Sequence, residues 1–205
     1  MVVKFIIFPY ICRVMSRYID IHTHHPTNRH RELKAEGRHP WNAESAEDIF
    51  ISPTAEAVGE IGLDFACSVD RAKQEEVFRE QLAIAQKRGV AVVVHCVKAF
   101  EQIMKILDSY SLHAVIFHGF IGSPQQAQKA VEKGYYLSFG ERCVKSPKTT
   151  EALRITPLDR IFVETDESPT PIEQIYTTIA SLKGATEAEL IDAIENNYNR
   201  IFQQQ

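Results

Sequence analysis

His22-Thr23-His24 sets two imidazoles two positions apart, Glu60 and Asp166 are carboxylates within or at the end of apolar runs, and His95 and His118 each follow three apolar residues. Imidazole nitrogen and carboxylate oxygen are the donors that hold borderline divalent cations. In an extended segment side chains alternate, so His22 and His24 share a side. Taken alone, such a pair is more often a surface turn. Glu60 lies in Val58-Gly59-Glu60-Ile61-Gly62, and a carboxylate inside an apolar strand costs several kcal/mol unless it is paired or bound to metal. A buried salt bridge, for instance to Arg142, is the structural alternative. His95 after Val92-Val93-Val94 and His118 after Val115-Ile116-Phe117 each have the ordinary reading of a satisfied core histidine. Glu164 and Asp166 share a face, and the helix start at Thr170 gives the acidic run an ordinary reason too. Taken together, three or four imidazoles and two carboxylates suit a pair of divalent ions with one carboxylate bridging. The chemistry is then hydrolysis, with an activated water, an oriented ester or phosphate and a stabilised leaving oxygen. The mixed donor set fits Zn²⁺, Mn²⁺ or Fe²⁺, with Mg²⁺ a further candidate.

The elements that must position these residues alternate along the chain. Strand candidates are Tyr18–His22, Ala57–Leu63, Ala91–Val97, Ala114–Gly119, Tyr135–Phe139 and Arg160–Thr165, several of them apolar on both faces as a covered parallel sheet requires. Between them lie helical stretches with marked ends. Asp70–Arg88 stops at Gly89, Ser123-Pro124 opens a helix that stops at Gly134, and Thr170-Pro171 opens one that stops at Gly184. Thr186-Glu187-Ala188-Glu189 reads as a capping box before the last helix, which runs toward Ile201-Phe202. Strand and helix in alternation specify an α/β fold. The ligand-type residues all fall at or just past the carboxyl ends of strands, the edge that converges on one mouth in a (β/α) barrel.

The chain has 205 residues, 44% apolar and 24% charged, which excludes disorder, collagen-like repeats and a small disulfide scaffold. Its net charge of −4 gives no basic field to hold polyanions, so a nucleic-acid substrate has to be gripped locally. Cys12, Cys67, Cys96 and Cys143 form no Cys-x-x-Cys pair, and the default expectation is a reducing, cytoplasmic setting. No apolar run is long enough to span a bilayer. The stretch Val2 to Val14, broken by Lys4, Pro9 and Arg13, is open to three readings: a leader, an added strand, or an upstream extension before a start at Met15. The last is favoured, giving residues 1–14 as an extension and 15–205 as a single hydrolase domain.

The order of the pieces resembles the TatD family of metal-dependent deoxyribonucleases, within the amidohydrolase-like barrels. The matching stretches are Asp20-Ile21-His22-Thr23-His24, Gly59-Glu60-Ile61-Gly62-Leu63-Asp64, Val94-His95, His118-Gly119-Phe120-Ile121-Gly122, Pro157-Leu158-Asp159-Arg160 and Glu164-Thr165-Asp166. His39-Pro40-Trp41 and Asn197-Tyr198-Asn199-Arg200-Ile201-Phe202 are also similar. The resemblance implies that His22, His24, Glu60 and Asp166 hold one ion and Glu60, His95 and His118 the second, with Glu60 as the bridge. No strand end offers a lysine for a carbamylated bridge. It further implies that Asp166 takes a proton from the attacking water, that Asp64 and Glu164 orient ligands, and that nucleic acid is the substrate, with no membrane involvement. Lys98 and His25 are candidate substrate contacts.

The chain departs from the family pattern at Pro26, where Asp is usual, at His95-Cys96-Val97 in place of His-Ser-Arg, and at the inserted Glu167. These positions concern substrate contacts rather than ligands. The leading function is a two-metal phosphodiesterase or deoxyribonuclease of the 3′-to-5′ exonuclease kind using a metal-activated water. Hydrolysis of another ester, such as a D-aminoacyl-tRNA, or a degenerate metal-binding barrel without turnover are the alternatives. A full eight-strand barrel usually takes about 250 residues. The short interval from His24 to Glu60 holds one weak helix candidate, Ala43–Phe50, and a polar run, Glu32 to Arg38, unsuited to a central strand. The expected fold is therefore a TIM-type (β/α) barrel, incomplete or distorted, with its second strand missing or vestigial.

Overall fold

A computed structural model describes residues 17–203, so the extension read in residues 1–14 lies outside the described residues. The strands are β1 (Ile19–Asp20), β2 (Arg31–Glu32), β3 (Ala35–Glu36), β4 (Ala57–Asp64), β5 (Ala91–Val97), β6 (Val115–Phe117), β7 (Tyr136–Phe139) and β8 (Ile161–Val163). The helices are α1 (Arg71–Arg88), α2 (Phe100–Leu107), α3 (Pro124–Glu132), α4 (Pro147–Ile155), α5 (Ile172–Lys183) and α6 (Glu187–Phe202). All strand pairs are parallel, in the order β3-β4-β5-β6-β7-β8 with β1-β2 beside them.

Main-chain hydrogen bonds carry the two sheets into one ring. The Ile21 N–H donates to Val163 O at 3.2 Å and the Asp166 N–H to His22 O at 3.0 Å, joining β8 to β1. Leu33 N–H donates to Asp20 O at 3.2 Å and Glu56 N–H to Lys34 O at 2.8 Å, so one segment touches β1 with its first half and β4 with its second. β2 and β3 are the two ends of that segment, a vestigial second strand. Only its Leu33 is buried, at 9% exposure, while Lys34 and Glu36 face out. The polarity of Glu32 to Arg38 is thereby accommodated: a stave of two short ladders needs one apolar anchor rather than two apolar faces.

The remaining strands are covered on both sides. Val92, Val93 and Val94 are fully buried, as are Phe117, Phe139 and Phe162, and α1 closes the outside of β4 with Phe78, Leu82 and Ala85. Helix ends follow the sequence signals: capping boxes form at Ser123/Gln126 and Thr186/Glu189, and Gly89 and Gly184 end α1 and α5 in the left-handed region.

Three local readings are corrected. Ala43–Phe50 is not helical; only Pro40–Asn42 makes a 3₁₀ turn, and Phe50 is left 78% exposed with no apolar face to bury it. Thr170 does not cap α5, because its hydroxyl donates instead to Glu141 at 3.1 Å. Helices α2 and α4 were not anticipated. The first has no side-chain cap, whereas Ser146-Pro147 before α4 carries the same start signal as Ser123-Pro124.

Candidate metal centre

Glu60, His95 and His118 come from adjacent strands or their ends. In the β4–β5 ladder Gly62 is opposite His95, and the His118 N–H donates to Val94 O at 3.1 Å, one register step behind. His22 and His24 follow β1, and Asp166 follows β8. These last two segments are laced together: the His24 N–H donates to Asp166 O at 3.0 Å, and Asp166 holds a left-handed φ of 55°. Such a backbone in a residue other than glycine is strained and persists only where the surroundings impose it. Asp20 supplies part of that constraint, accepting from the Thr165 N–H at 3.1 Å and from its hydroxyl at 2.7 Å. Burial pushes the Asp20 carboxyl up to about 7, against the hydrogen bonds from Thr165.

Glu60 is the hub. Its Oε2 lies 3.3 Å from His22 Nε2 and 3.6 Å from His24 Nε2. Its Oε1 lies 2.6 Å from His118 Nε2 and 3.3 Å from His39 Nε2, and contacts His95 Nδ1 directly. Asp166 Oδ1 completes the first group, 3.5 Å from His24 Nε2 and 3.9 Å from His22 Nε2. The carboxylate thus divides the imidazoles into two sets, one per oxygen. Burial alone would raise its pKa, but hydrogen bonds from His118, His22, His39 and His95 hold the carboxyl far below the ordinary carboxylate range. The alternative, a buried salt bridge from Glu60 to Arg142, does not form: that guanidinium is 66% exposed and lies 3.8 Å from Asp166.

The donor atoms fit cations better than they fit one another. His22 Nε2 faces His24 Nε2 at 3.3 Å, and His95 Nδ1 faces His118 Nε2 at 3.2 Å. Three imidazoles crowd onto the single oxygen Oε1, which has two lone pairs. A shared cation on each side of Glu60 would accept the lone pairs of the facing His22/His24 and His95/His118 pairs. The groupings His22/His24/Asp166, His22/Glu60/His118 and His39/Glu60/His95 each bring their ligand atoms within 4.8 Å of one another.

Around this shell stand the residues that aim it. Asp64 Oδ2 accepts the Trp41 indole N–H at 2.7 Å and lies 3.5 Å from His95 Nε2, while its Oδ1 accepts the Ala66 N–H at 2.8 Å. Glu164 is 1% exposed, accepts the Gly119 N–H at 2.5 Å and lies 3.6 Å from His118 Nδ1. Burial alone would lower His118, but Glu164 and Glu60 outweigh it and raise the imidazole to about 10. A carboxylate behind a ligating imidazole fixes its tautomer and orientation, and its loss typically weakens metal binding 10- to 100-fold. Asp64→Asn is therefore expected to lower cation affinity by about tenfold or more, read by competition with a chromogenic chelator. Unchanged affinity would mean that His95 is aimed by something else.

The other sequence-predicted contacts stand apart. His25 is exposed, and its main-chain N–H donates to Thr23 Oγ1 at 3.2 Å. Lys98 is exposed, with a left-handed φ of 53°, and with Lys148 lines a cavity of ≈ 550 Å³ that reaches His118. A second cavity of ≈ 160 Å³ next to Asp166 is bordered by Arg142 and Lys145. His39 is the ligand-type residue that sequence reasoning missed. Its signal was the Pro40 that fixes the following 3₁₀ turn, with His39 Nδ1 accepting the Trp41 N–H at 3.2 Å and Nε2 left to face Glu60.

The family described as TatD related DNase matches residues 21–203. The metal-dependent hydrolase YabD of Bacillus subtilis, itself described as uncharacterized, is 31% identical over 71% of this chain and 64% of its own length. The 3′-5′ ssDNA/RNA exonuclease TatD of Salmonella typhimurium is 33% identical over 63% of this chain and 55% of its own. The matched part of the chain thus spans less than two thirds of the length of either relative. Among solved structures, the TatD homolog YJJV of Escherichia coli superposes with a TM-score of 0.75 over 86% of this chain and 78% of its own, at 23% identity, a likeness of fold.

Proposed function

Because the chain belongs to the TatD related DNase family, we propose that it hydrolyses phosphodiesters at the ends of single-stranded nucleic acid, with two divalent cations in the Glu60 centre. The observation that carries this reading is the division of Glu60: each oxygen serves its own set of imidazoles, which is how a carboxylate bridges a pair of ions. His22, His24 and Asp166 would complete one site, and His95 and His118 the other, while His39, whose Nδ1 accepts the Trp41 N–H, turns its Nε2–H to Glu60 and orients the bridge. Ions bound there supply a water of lowered pKa and positive charge for the attacking and leaving oxygens.

The chain's own groups supply the rest. Asp166 combines a partly buried carboxylate, whose pKa burial raises, with a place at the edge of the centre, so it is suited to take the proton from the attacking water. Glu60 stays ionised throughout. Asp64 and Glu164 hold the imidazoles in one orientation. Lys98, Lys148, Arg142 and Lys145 offer charge to phosphate groups on either side, a local grip that suits a chain with no global basic field. The convergence of His22, His24, Glu60, His95, His118 and Asp166 supports retained metal binding, and turnover is what the assay decides.

The test is metal removal followed by restoration. Dialysis against chelator is expected to abolish release of 3′-terminal nucleotides from single-stranded DNA and RNA, and added Mn²⁺, Zn²⁺ or Mg²⁺ to restore it. Activity insensitive to chelation, or fully loaded protein that cleaves no phosphodiester, would overturn the reading. Cleavage of an aminoacyl ester alone would transfer it to another ester class.

A further inference from the structure

Trp41 is the sole tryptophan of the chain, and 58% of it is exposed. Phe50, Ile121 and Ile155 are exposed too, but none carries a polar group of its own to fix it. Trp41 is held twice. Its indole N–H donates to Asp64 Oδ2 at 2.7 Å, and its ring meets His39 edge to face, with centroids 4.8 Å apart at 86°. The same indole lies 6.4 Å from the His95 ring. Both anchors are thus parts of the Glu60 centre: Asp64 faces His95, and His39 faces Glu60.

An indole used for packing would be buried, and one merely left over on the surface would not be tied to the groups that aim two ligands. An aromatic ring that is immobilised yet in solvent has already lost its rotamer freedom, so contact with a flat partner costs it little more. Unpaired bases are such partners. Stacking on an aromatic side chain is sequence-tolerant, and it supplies affinity that the net charge of −4 does not. In a duplex the base faces are already covered.

We propose that Trp41 is the platform on which an unpaired nucleobase of the substrate stacks, placing the adjacent phosphodiester at the Glu60 centre. The proposal rests on the phosphodiesterase reading and adds to it the group that recognises single strands. His39 and Asp64 act as positioning residues for the indole.

The experiment compares two single-stranded oligonucleotides of equal length, one of thymidines and one abasic, both phosphorothioate-linked to suppress cleavage. With a single tryptophan in the chain, quenching of its emission reports contact directly, and anisotropy of a labelled strand gives affinity in every variant. The thymidine strand is expected to quench the emission and to bind the native protein about tenfold more tightly than the abasic strand. Trp41→Ala should reduce that ratio to within about twofold, whereas Trp41→Phe, which keeps a ring but loses the indole N–H, should retain a preference of at least about threefold. Circular dichroism and cation content of each variant show whether the fold and the centre are intact. Equal binding of the two strands by the native protein, or a preference that survives Trp41→Ala, overturns the platform while leaving the phosphodiesterase reading in place. Failure of both strands to bind, together with absent metal-dependent cleavage, overturns both.

Discussion

Glu60→Gln is expected to lower phosphodiester hydrolysis by about 10³-fold or more, equivalent to about 4 kcal/mol of transition-state stabilisation, and to leave the protein unable to retain either ion through gel filtration. The side chain keeps its size, so the loss would be one of charge. Its side chain is 8% exposed, and its two oxygens face His22 and His24 on one side and His39, His95 and His118 on the other. A neutral amide cannot serve both sets: its oxygen would keep one, and its NH₂ would turn hydrogens toward the lone pairs of the other. The companion variant is His24→Ala. His24 reaches Glu60 only through Oε2, otherwise faces Asp166 and His22, and its side chain is 46% exposed. Its removal should take away one ion and leave the second. Metal analysis should therefore read two, one and zero equivalents for the native protein, His24→Ala and Glu60→Gln. Two ions retained in Glu60→Gln, with activity within tenfold of native, would sink the bridging arrangement.

This centre was legible in the sequence to the extent that it is built from strand ends. Apolar strands announce themselves by composition, and an ionisable residue closing such a run stands out against it, as His95, His118 and Asp166 do. His39 did not stand out, because it lies in a loop and reaches Glu60 through a turn whose conformation is set by Pro40 rather than by any period in the pattern. Asp64 was named as a residue that orients ligands, but Trp41 was visible only as part of a similar stretch; the hydrogen bond between them depends on the turn bringing an indole back over β4. Segment 31–36 shows the same limit in the fold. Its polar composition pointed to a vestigial strand, but its split pairing, β2 to β1 and β3 to β4, is decided by neighbours it does not encode. Helix ends were read well where the cap is local, as at Ser123 and Thr186. At Thr170 the hydroxyl found a distant partner, Glu141, and the local rule lost.

Gly62→Ala is the second large effect, because a single methyl group there would collide with the backbone that delivers His95. Gly62 has φ 147°, and a Cβ on it would stand 2.0 Å from His95 O, 2.9 Å from His95 C and 3.0 Å from His95 N. Main-chain atoms cannot swing aside as a side chain can, so the β4–β5 ladder itself must open at the Gly62–His95 pair. Strain at a backbone angle suited to glycine and overpacking of a close contact each amount to about 1–3 kcal/mol. Together they predict a loss of about 3 kcal/mol or more, and at roughly 2–4 °C per kcal/mol for a chain of this size a midpoint lowered by about 10 °C. Gly89→Ala is the control: its φ of 66° lies in the left-handed region that alanine enters at a cost of about 1 kcal/mol, and a Cβ there meets nothing within 4 Å. The difference between the two variants reports the harsher angle at Gly62 together with the close approach of β4 to β5. That approach also sets the distance between Glu60 and His95, so Gly62→Ala should weaken cation binding on the His95/His118 side, read by calorimetric titration, while Gly89→Ala leaves it unchanged. Thermal midpoints for the two variants within about 2 °C of each other would show that the strands have room to part, and that His95 is held in place from the Asp64 side instead.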